Sequence, residues 1–520
     1  MVMFHFIFKS FISGLLFYFS WPTNFTIFTP LIFIAFVPLL LIQKEVETKT
    51  SGNIIFFICC YISFLIFNFT TTFWVEKASP ALGEGLFAVL CNSLFMSIVL
   101  YFFHICKKNI KFISPLFFLS FFWVLFEILH FNWELNWPWL TLGNAFSELP
   151  SWIQWFSYTG VLGGSLWVIL INYCIYNIYI FYLDFGYLQI KKLIYILSLI
   201  IIPITCSLIL SFSFKYSGKK INVLVAQTNL DPNTKFENQS WKFEKKLFYD
   251  LTNNVTDSID YVIFPETYLS TQFTLINDKP IQYNRNQIAH IIRMVEKYKN
   301  LNIILGATID QFLDRQKIKK YNSVLQFNSD SVSYYHKSKL VPGAEQLPFR
   351  NFLKYFFKDN FLSLAGGAGN LSVQDSISLL EFNENKIASL VCYESVFPNH
   401  VREFIDKGAQ AIFIITNDGW WGDSQGRKQH NSYARIRAIE NRRYVVRSAN
   451  TGISSVINPL GYFEKIIDPN KTESFINSIS LLSSKTFYVK HGNILIFIYL
   501  AIVLVFSIII NRKNKDYGII

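Results

Sequence analysis

The sequence predicts two fold classes in one chain: an α-helical multi-span membrane domain, and an α/β domain set between the seventh span and an eighth. Three observations carry this. Apolar runs rich in Phe, Ile and Leu fill residues 1–213 and return at 493–511, while 214–492 has ordinary globular composition. Within 214–492, short apolar strand patterns alternate with helical ones, the mark of an α/β sheet. The basic residues of the short loops between apolar runs fall, with the exception of Lys77, on one side of such a layout.

A bilayer core takes about 20 apolar residues per helix, which places spans near 4–20, 25–43, 53–73, 85–106, 112–130, 160–182, 193–213 and 493–511. Trp21-Pro22 ends the first run early. It has the length of a signal peptide, but no small-x-small cleavage site follows, so it is expected to be retained. The loops 44–52, 107–111 and 184–192 carry lysines, as does the tail after Arg512, while the alternate loops carry Glu76, Glu84, Glu134 and Glu148 with Lys77 as the only base. The positive-inside rule then puts both termini in the cytoplasm and residues 214–492 outside. The expected organisation is 1–213 in the membrane, 214–492 exported, and 493–520 as the last span and a cytoplasmic tail. With 35 Lys and Arg against 26 Asp and Glu, the exported part is basic. That balance suits anionic headgroups or reflects a lysine-rich compositional bias, and nucleic acid is no partner on that side of a membrane.

Strand patterns in the exported domain fall at 220–227, 261–267, 301–309, 321–328, 331–339, 386–394, 411–418, 444–450 and 452–459, the last two closing the domain. Helical patterns fall at 240–252, 283–298, 399–407 and 429–443. Open α/β sheets place their sites at the C-terminal strand ends, and three of those ends offer chemistry: Glu266 in "VIFPET", Lys337 in "SYYHKSK" and Cys392 in "SLVCYES". Taken singly, each has a plain reading as a turn residue, a surface charge and a small buried hydrophobe. Together they make a nucleophile set, since a thiol reacts as thiolate, an ammonium lowers its pKa and a carboxylate takes its proton. Cys392 is also the only one of seven cysteines outside the apolar first 210 residues, so an exported domain has no partner with which to oxidise it internally.

"FPET", "YHKSKLVP…E" and "VCYES", in that order, resemble the Glu-Lys-Cys motifs of the nitrilase (carbon–nitrogen hydrolase) superfamily, and with the seven-plus-one span pattern they resemble its membrane-embedded branch, the apolipoprotein N-acyltransferases. "NWPWLTLGNAF" (136–146) and residues 416–454 belong to the same likeness, which covers essentially the whole chain. The resemblance implies an α-β-β-α sandwich for the exported domain. It implies Cys392 as the acyl-carrying nucleophile, Glu266 as general base, and Lys337 as oxyanion stabiliser together with the backbone N–H after Cys392. Glu345 and Glu394 match further acidic positions, with Tyr393 between nucleophile and acid. The family commonly has Pro-Phe-Gly-Glu where this chain has Pro342-Gly343-Ala344-Glu345, which puts that loop's conformation in question. The reaction implied is transfer of an acyl chain from a phospholipid, phosphatidylethanolamine, through a thioester to the α-amine of diacylglyceryl apolipoproteins. It implies an inner-membrane monomer with a periplasmic catalytic domain and no cofactor.

Other residues carry less. Trp420 and Trp421 stand as lining for an acyl path or as packing. His336 adjoins Lys337, but neighbours on a strand face opposite ways, so only one of them faces the cysteine. No His/Cys set has metal-ligand spacing, so no metal is expected. His430, Arg435, Glu440 and Arg443 share a helical pattern and read as a salt-bridged structural set. Glu127 is an acid within the fifth span, a functional position by default unless it reaches the span's solvated end. Residues 349–370 read as an amphipathic lid with Lys354 and Lys358 toward headgroups and Gly366-Gly367 as hinge, or as a packing segment. The rival functions are a tethered small-amide hydrolase, which would need one anchor rather than seven spans, and a transporter or receptor with an inactive domain, against which the intact motifs stand.

Overall fold

Apolar length decides the first unit. The structure, a computed structural model, describes residues 2–22, 25–79, 83–231, 241–270, 272–276, 279–281, 285–314, 317–350, 352, 355 and 371–516. It separates into two units, one of Met1–Glu76, Leu82–Ser213 and His491–Ile520, the other of Lys77–Ala81 and Phe214–Lys490. Among the described residues, eight helical segments are long and apolar enough to cross a membrane: Met3–Ser20, Thr26–Val46, Gly52–Ala78, Glu84–Asn109, Pro115–Asn132, Val161–Phe185, Ile190–Ser213 and Ile494–Arg512. This is a multi-pass membrane protein. In Ile190–Ser213 only Ile196 and Ser207 are buried, so nearly the whole circumference of that helix is left for lipid.

The second segment is not one α-helix. A 3-10 stretch, Thr26–Phe33, holds Pro30, and a short α-helix, Val37–Val46, restarts with Pro38 in its first turn. Proline removes a backbone donor, so the apolar run is broken where its ring stands. Between Pro115–Asn132 and Val161–Phe185 lie short 3-10 turns at Pro138–Leu140, Leu142–Phe146 and Pro150–Trp152. Non-helical backbone within a membrane protein needs polar partners from the protein itself. Glu127 supplies one: it is buried, and its Oε1 accepts Trp123 Nε1–H at 3.0 Å and Leu142 N–H at 2.8 Å. The solvated reading of Glu127 is therefore wrong; this acid holds an irregular segment in place.

The second unit is built on two sheets. Its strands are β1 (Lys219–Gln227), β2 (Tyr261–Ile263), β3 (Gln272–Ile276), β4 (Lys279–Ile281), β5 (Asn302–Asp314), β6 (Lys317–Phe327), β7 (Val332–His336), β8 (Leu380–Phe382), β9 (Asn385–Val391), β10 (Ala411–Thr416), β11 (Val445–Ala449), β12 (Ser454–Ile457), β13 (Phe463–Ile467) and β14 (Glu473–Leu481). One sheet runs β14-β1-β2-β5-β3-β4, with β6 beside β5 and β7 beside β6; the other runs β13-β12-β11-β10-β9-β8. Strands β1, β2 and β5 are parallel, as are β9, β10 and β11.

Alternation along β1 shows how the layers form. Ile221, Val223 and Val225 join the apolar core that also holds Ile412, Ile414 and Val391 of the other sheet. Leu224 and Ala226 face the opposite way, into a second core with Leu247 and Phe248 of helix Trp241–Leu251 and Ile291 of helix Ala289–Lys297. Helices Pro398–Asp406 and Gln425–Asn441 contribute Val401, Phe404, Ala434 and Ala438 to the core of the second sheet. The layers are helix, sheet, sheet, helix. The domain does not close at β12: β13 and β14 follow, and β14 pairs antiparallel with β1 from Lys219↔Leu481 to Gln227↔Glu473.

Candidate active site

The C-terminal strand ends converge. β9 stops at Val391, and Cys392 begins a 3-10 turn, Cys392–Val396, in left-handed backbone (φ 51°). A non-glycine residue there costs about 1 kcal/mol, which the turn's contacts offset. The sharp reversal stands the side chain off the strand end, where it remains 7 % exposed. Glu266 follows β2 and is pressed close to β5: a Cβ on Gly306 would lie 2.2 Å from Thr267 N, so only glycine admits this approach.

Glu266 Oε1 accepts from Asn322 Nδ2 at 2.7 Å and lies 3.5 Å from Lys337 Nζ, and Oε2 accepts the Asn417 N–H at 3.0 Å. The Cys392 thiol lies close enough to the same carboxylate for the two groups to shift each other's proton affinity. Lys337 Nζ donates to Glu345 Oε1 at 2.8 Å, and Asn322 Nδ2 reaches that oxygen at 3.2 Å. Glu266, Lys337 and Cys392 thus stand together, with Glu345 sharing Lys337 and Asn322 with Glu266. His336 faces away, its Nδ1 2.7 Å from Ser323 Oγ and its ring stacked on Tyr321.

Burial sets the protonation states. It pushes Glu266 above the usual carboxylate range, with the Glu345 charge adding to the rise and Lys337 opposing it. Burial would discharge Lys337, but Glu345 and then Glu266 outweigh it and hold the ammonium well above its ordinary value. Burial and the Glu266 charge together drive the Cys392 thiol far up, more than Lys337 draws it down. The lysine does draw the thiol's pKa down, as expected of an ammonium, but burial and Glu266 outweigh it. The Cys392 thiol is thus held protonated, next to a carboxylate that can take its proton.

The two further acids are held differently. Glu345 Oε2 accepts the Val341 N–H at 2.9 Å. Gly343 sits at φ +83° in the loop, so the glycine of this chain supplies left-handed backbone one place earlier than in the Pro-Phe-Gly-Glu pattern, and Glu345 still reaches Lys337. Glu394 is fully buried, and its Oε1 accepts from Tyr335 Oη at 2.6 Å and Ser338 N at 2.7 Å and lies 3.2 Å from His400 Nε2; Oε2 accepts from Val391 N at 2.8 Å. It joins the strand end before Cys392 to the residues just after Lys337 and does not reach the thiol. Tyr393 is buried with its ring edge-on to Phe397. Trp420 is 43 % exposed, while Trp421 packs edge-on against the His430 ring, 5.4 Å between centroids. Of the lid segment, 351, 353–354 and 356–370, with Lys354, Lys358 and Gly366-Gly367, lie outside the described residues.

The helix Gln425–Asn441 is only partly the structural set that was expected. Arg437 pairs with Glu440 at 2.8 Å, Arg435 Nε donates to Gly461 O at 2.8 Å, and Arg443 Nε to Ala409 O at 2.9 Å. His430 instead belongs to the active-site turn. Its Nε2 lies 3.2 Å from the Cys392 carbonyl oxygen and 2.9 Å from Ser395 Oγ, and its Nδ1 lies 3.0 Å from Asp418 Oδ1 and 3.0 Å from Arg447 Nη2. Arg447 also pairs with Asp418 Oδ2, and Thr416 Oγ1 donates to Asp418 Oδ1 at 2.8 Å. Cys392, Asp418 and His430 bring three metal-ligating atoms within 4.8 Å of one another. The set is poorly suited to a divalent cation, because the Arg447 guanidinium is already paired with the carboxylate and stands against the imidazole. Asn322, Asn417, Asp418 and Arg447 were missed from sequence. Asn417 and Asp418 had a signal, standing at the end of "AIFIITND"; Asn322 lies inside a strand with other polar residues and Arg447 inside an apolar one, with nothing to mark either.

Comparison with known proteins adds to this geometry. Residues 246–481 match the carbon-nitrogen hydrolase family, and residues 13–174 match the apolipoprotein N-acyltransferase N-terminal domain. The apolipoprotein N-acyltransferase of Rickettsia bellii is 30 % identical over 87 % of this chain and 86 % of its own length. That of Chlorobaculum tepidum is 28 % identical over 97 % of this chain and 96 % of its own. A nitrilase-superfamily protein of Saccharomyces cerevisiae is a solved structure similar to half of this chain and 90 % of its own, at 20 % identity and a TM-score of 0.37.

Proposed function

Because the chain belongs to the apolipoprotein N-acyltransferase family, we propose that its acyl transfer runs through Cys392, with Glu266 as the base and Lys337 as the fixed positive charge. The observation that carries the reading is one carboxylate, Glu266, set beside the Cys392 thiol and 3.5 Å from the Lys337 ammonium, which Glu345 also pairs at 2.8 Å.

Cys392 Sγ attacks the ester carbonyl carbon of a phospholipid as its proton passes to Glu266. The oxyanion is met by Lys337 and by the Tyr393 backbone N–H. Collapse breaks the ester C–O bond, the leaving alkoxide takes the proton from Glu266, and a lysophospholipid departs from a Cys392 thioester. The α-amine of a diacylglyceryl cysteine then attacks the thioester and gives a proton to Glu266. A second collapse forms the amide and returns the proton to the Cys392 sulfur. Lys337, held charged on both sides, acts by charge and not as an acid. The donor proposed is phosphatidylethanolamine and the acceptor an apolipoprotein. The protein acts as a monomer in the inner membrane, with Phe214–Lys490 on the periplasmic side as the loop charges direct. Multiple spans suit these substrates, because drawing an acyl chain into water costs about 0.8 kcal/mol per methylene.

Mass spectrometry of the full-length protein incubated with phosphatidylethanolamine tests the chemistry. The peptide holding Cys392 should gain one acyl mass and lose it to a diacylglyceryl-cysteine peptide, which becomes an amide. Release of free fatty acid with no amide would instead make the protein a hydrolase. Orientation is read by placing a cysteine at exposed Asp330 (Asp330→Cys) and labelling spheroplasts with a membrane-impermeant maleimide. Failure to label would overturn the periplasmic assignment.

A further inference from the structure

Cys392, His430 and Asp418 have the composition of a Cys-His-Asp protease triad, but their hydrogen bonds are not those of one. In such a triad the imidazole faces the thiol and takes its proton. Here His430 Nε2 faces two oxygens, the Cys392 carbonyl at 3.2 Å and Ser395 Oγ at 2.9 Å. Ser395 Oγ–H itself donates to the Cys392 carbonyl at 2.9 Å, so both oxygens present lone pairs to the ring. Nδ1 stands 3.0 Å from both Asp418 Oδ1 and Arg447 Nη2; placing the proton of a neutral His430 on Nε2, where the carbonyl can only accept, lets Nδ1 accept from the guanidinium while Thr416 Oγ1 and Arg447 serve the Asp418 carboxylate. Burial, with Arg447 adding, holds His430 below its ordinary pKa and keeps it neutral. With Nε2 protonated and Nδ1 occupied, the ring has no free site for the thiol's proton.

We propose that His430 and Ser395 are positioning residues for the oxyanion hole, acting through the Cys392–Tyr393 peptide plane. A trans peptide is planar, with its C=O and N–H pointing in opposite directions. Two donors that fix the Cys392 carbonyl therefore also fix the direction of the Tyr393 N–H, the backbone donor assigned to the oxyanion. The anchorage is rigid at each stage. His430, Asp418 and Arg447 are fully buried, Arg447 pairs with Asp418, and Arg447 Nε donates to Ile453 O at 3.0 Å. Gly452 backs the acid so closely that a Cβ there would lie 2.4 Å from Asp418 Oδ2. The anchorage also holds the left-handed backbone at Cys392, which would otherwise relax and turn the peptide.

The inference rests on the acyl-transfer reading, and the test separates the two. Full-length wild type, His430→Ala, His430→Gln and Ser395→Ala are compared in two reactions of Cys392: single-turnover acylation by phospholipid, followed by mass, and alkylation by iodoacetamide. Alkylation needs the thiol and Glu266 but builds no oxyanion. In His430→Ala, acylation should fall about 10- to 100-fold, at or below the 10²–10³ loss typical of deleting an oxyanion donor outright, with alkylation within about twofold of wild type. His430→Gln, which restores an N–H donor, should recover most of the rate. Ser395→Ala, a change of one oxygen that keeps the fold if His430→Ala does not, should show the same split at smaller size. Alkylation falling in step with acylation would make His430 a base or a mere packing residue, and unchanged acylation in both alanine variants would remove the role; either overturns the proposal. Absence of acylation in wild type would fail the acyl-transfer reading instead.

Discussion

Replacing Glu394 by glutamine separates holding the site from running it. Every neighbour of this carboxylate that the structure places at hydrogen-bond distance is a donor or a histidine nitrogen. Oε1 takes Tyr335 Oη–H and Ser338 N–H, with Lys339 N at 3.3 Å and His400 Nε2 at 3.2 Å, and Oε2 takes Val391 N–H. Burial raises its pKa, but His400 and these bonds outweigh burial, and the group stays below the usual carboxylate range, ionised. Glutamine has one acceptor and one donor end. With its oxygen in the Oε1 place it keeps the larger group of partners and sets an NH₂ against the Val391 N–H. A buried donor left unpaired costs about 1–3 kcal/mol, and turning charge-assisted bonds into neutral ones costs up to about 1 kcal/mol more for each of the shorter two. The expected loss is roughly 1–5 kcal/mol, which at about 2–4 °C per kcal/mol lowers the melting temperature by about 2–20 °C. Thermal unfolding of detergent-purified Glu394→Gln and Glu345→Gln, followed by circular dichroism at pH 7, measures this. Glu345 is 17 % exposed at its side chain and binds one backbone N–H, so its variant should melt less than half as far below wild type. The sign with pH follows from the depressed folded pKa of Glu394. Its stabilisation is full above the unfolded value, near 4.3, and is lost as pH falls through the folded value. The gap between wild type and Glu394→Gln should therefore close below about pH 4. A Glu394→Gln protein melting within about 1 °C of wild type, or less affected than Glu345→Gln, would refute the clamp.

Cys392→Ser should carry no thioester when the protein is incubated with phospholipid, with mass spectrometry as the readout. Glu266→Gln should keep the thiol but lower the acylation rate by about 10²–10⁴, the worth of a general base. Its iodoacetamide alkylation should fall as well, which sets it apart from His430→Ala. Lys337→Met leaves Glu266 and Glu345 facing each other without their cation; acylation should drop about 10²–10³-fold, and the alkylation rate at pH 7 should fall. Acylation should rise with pH through the folded pKa of Glu266, which lies above the ordinary carboxylate value because of burial and Glu345. In Glu345→Gln one like charge is gone, so the acid limb of the profile should move down, not up.

The apolar segments were legible because a bilayer imposes length and hydropathy on every span, and all eight apolar runs recur as helical segments. The sandwich was legible where strands are apolar runs, as at β9, β10 and β11, and poorly so where strands are short, edge or polar. β3, β4 and β13 hide for that reason: Lys279–Ile281 holds a proline, and Phe463–Ile467 is mostly surface. β14 hides because its partner is the first strand of the domain, and no local pattern signals an antiparallel pairing across some 250 residues. In the site, the groups named from the strand ends are those whose chemistry is visible one residue at a time. Those that orient them, Asn322 and Arg447 above all, reach the site from strands distant in sequence, and their role exists only in the folded pairing.

Protonation explains why so many charges stand around one thiol. A cysteine activated by an ammonium alone would rest as thiolate, fast to attack and equally open to oxidation. Here burial and Glu266 keep the sulfur protonated, so the nucleophile appears only with a base to receive its proton. The same base must then accept a proton from an ammonium-forming amine in the second half-reaction, a task that a carboxylate of ordinary pKa does badly. Glu345 serves both requirements through one geometry. It donates no proton and touches no sulfur, yet its charge raises the basicity of Glu266 and secures the cationic state of Lys337. The ammonium is thereby fixed before any oxyanion forms, and no reorganisation is needed when it does. Glu394 and His430 fix the backbone on either side of Cys392, so the acids near it divide into two that set charge, Glu266 and Glu345, and two that set shape, Glu394 directly and Asp418 through His430.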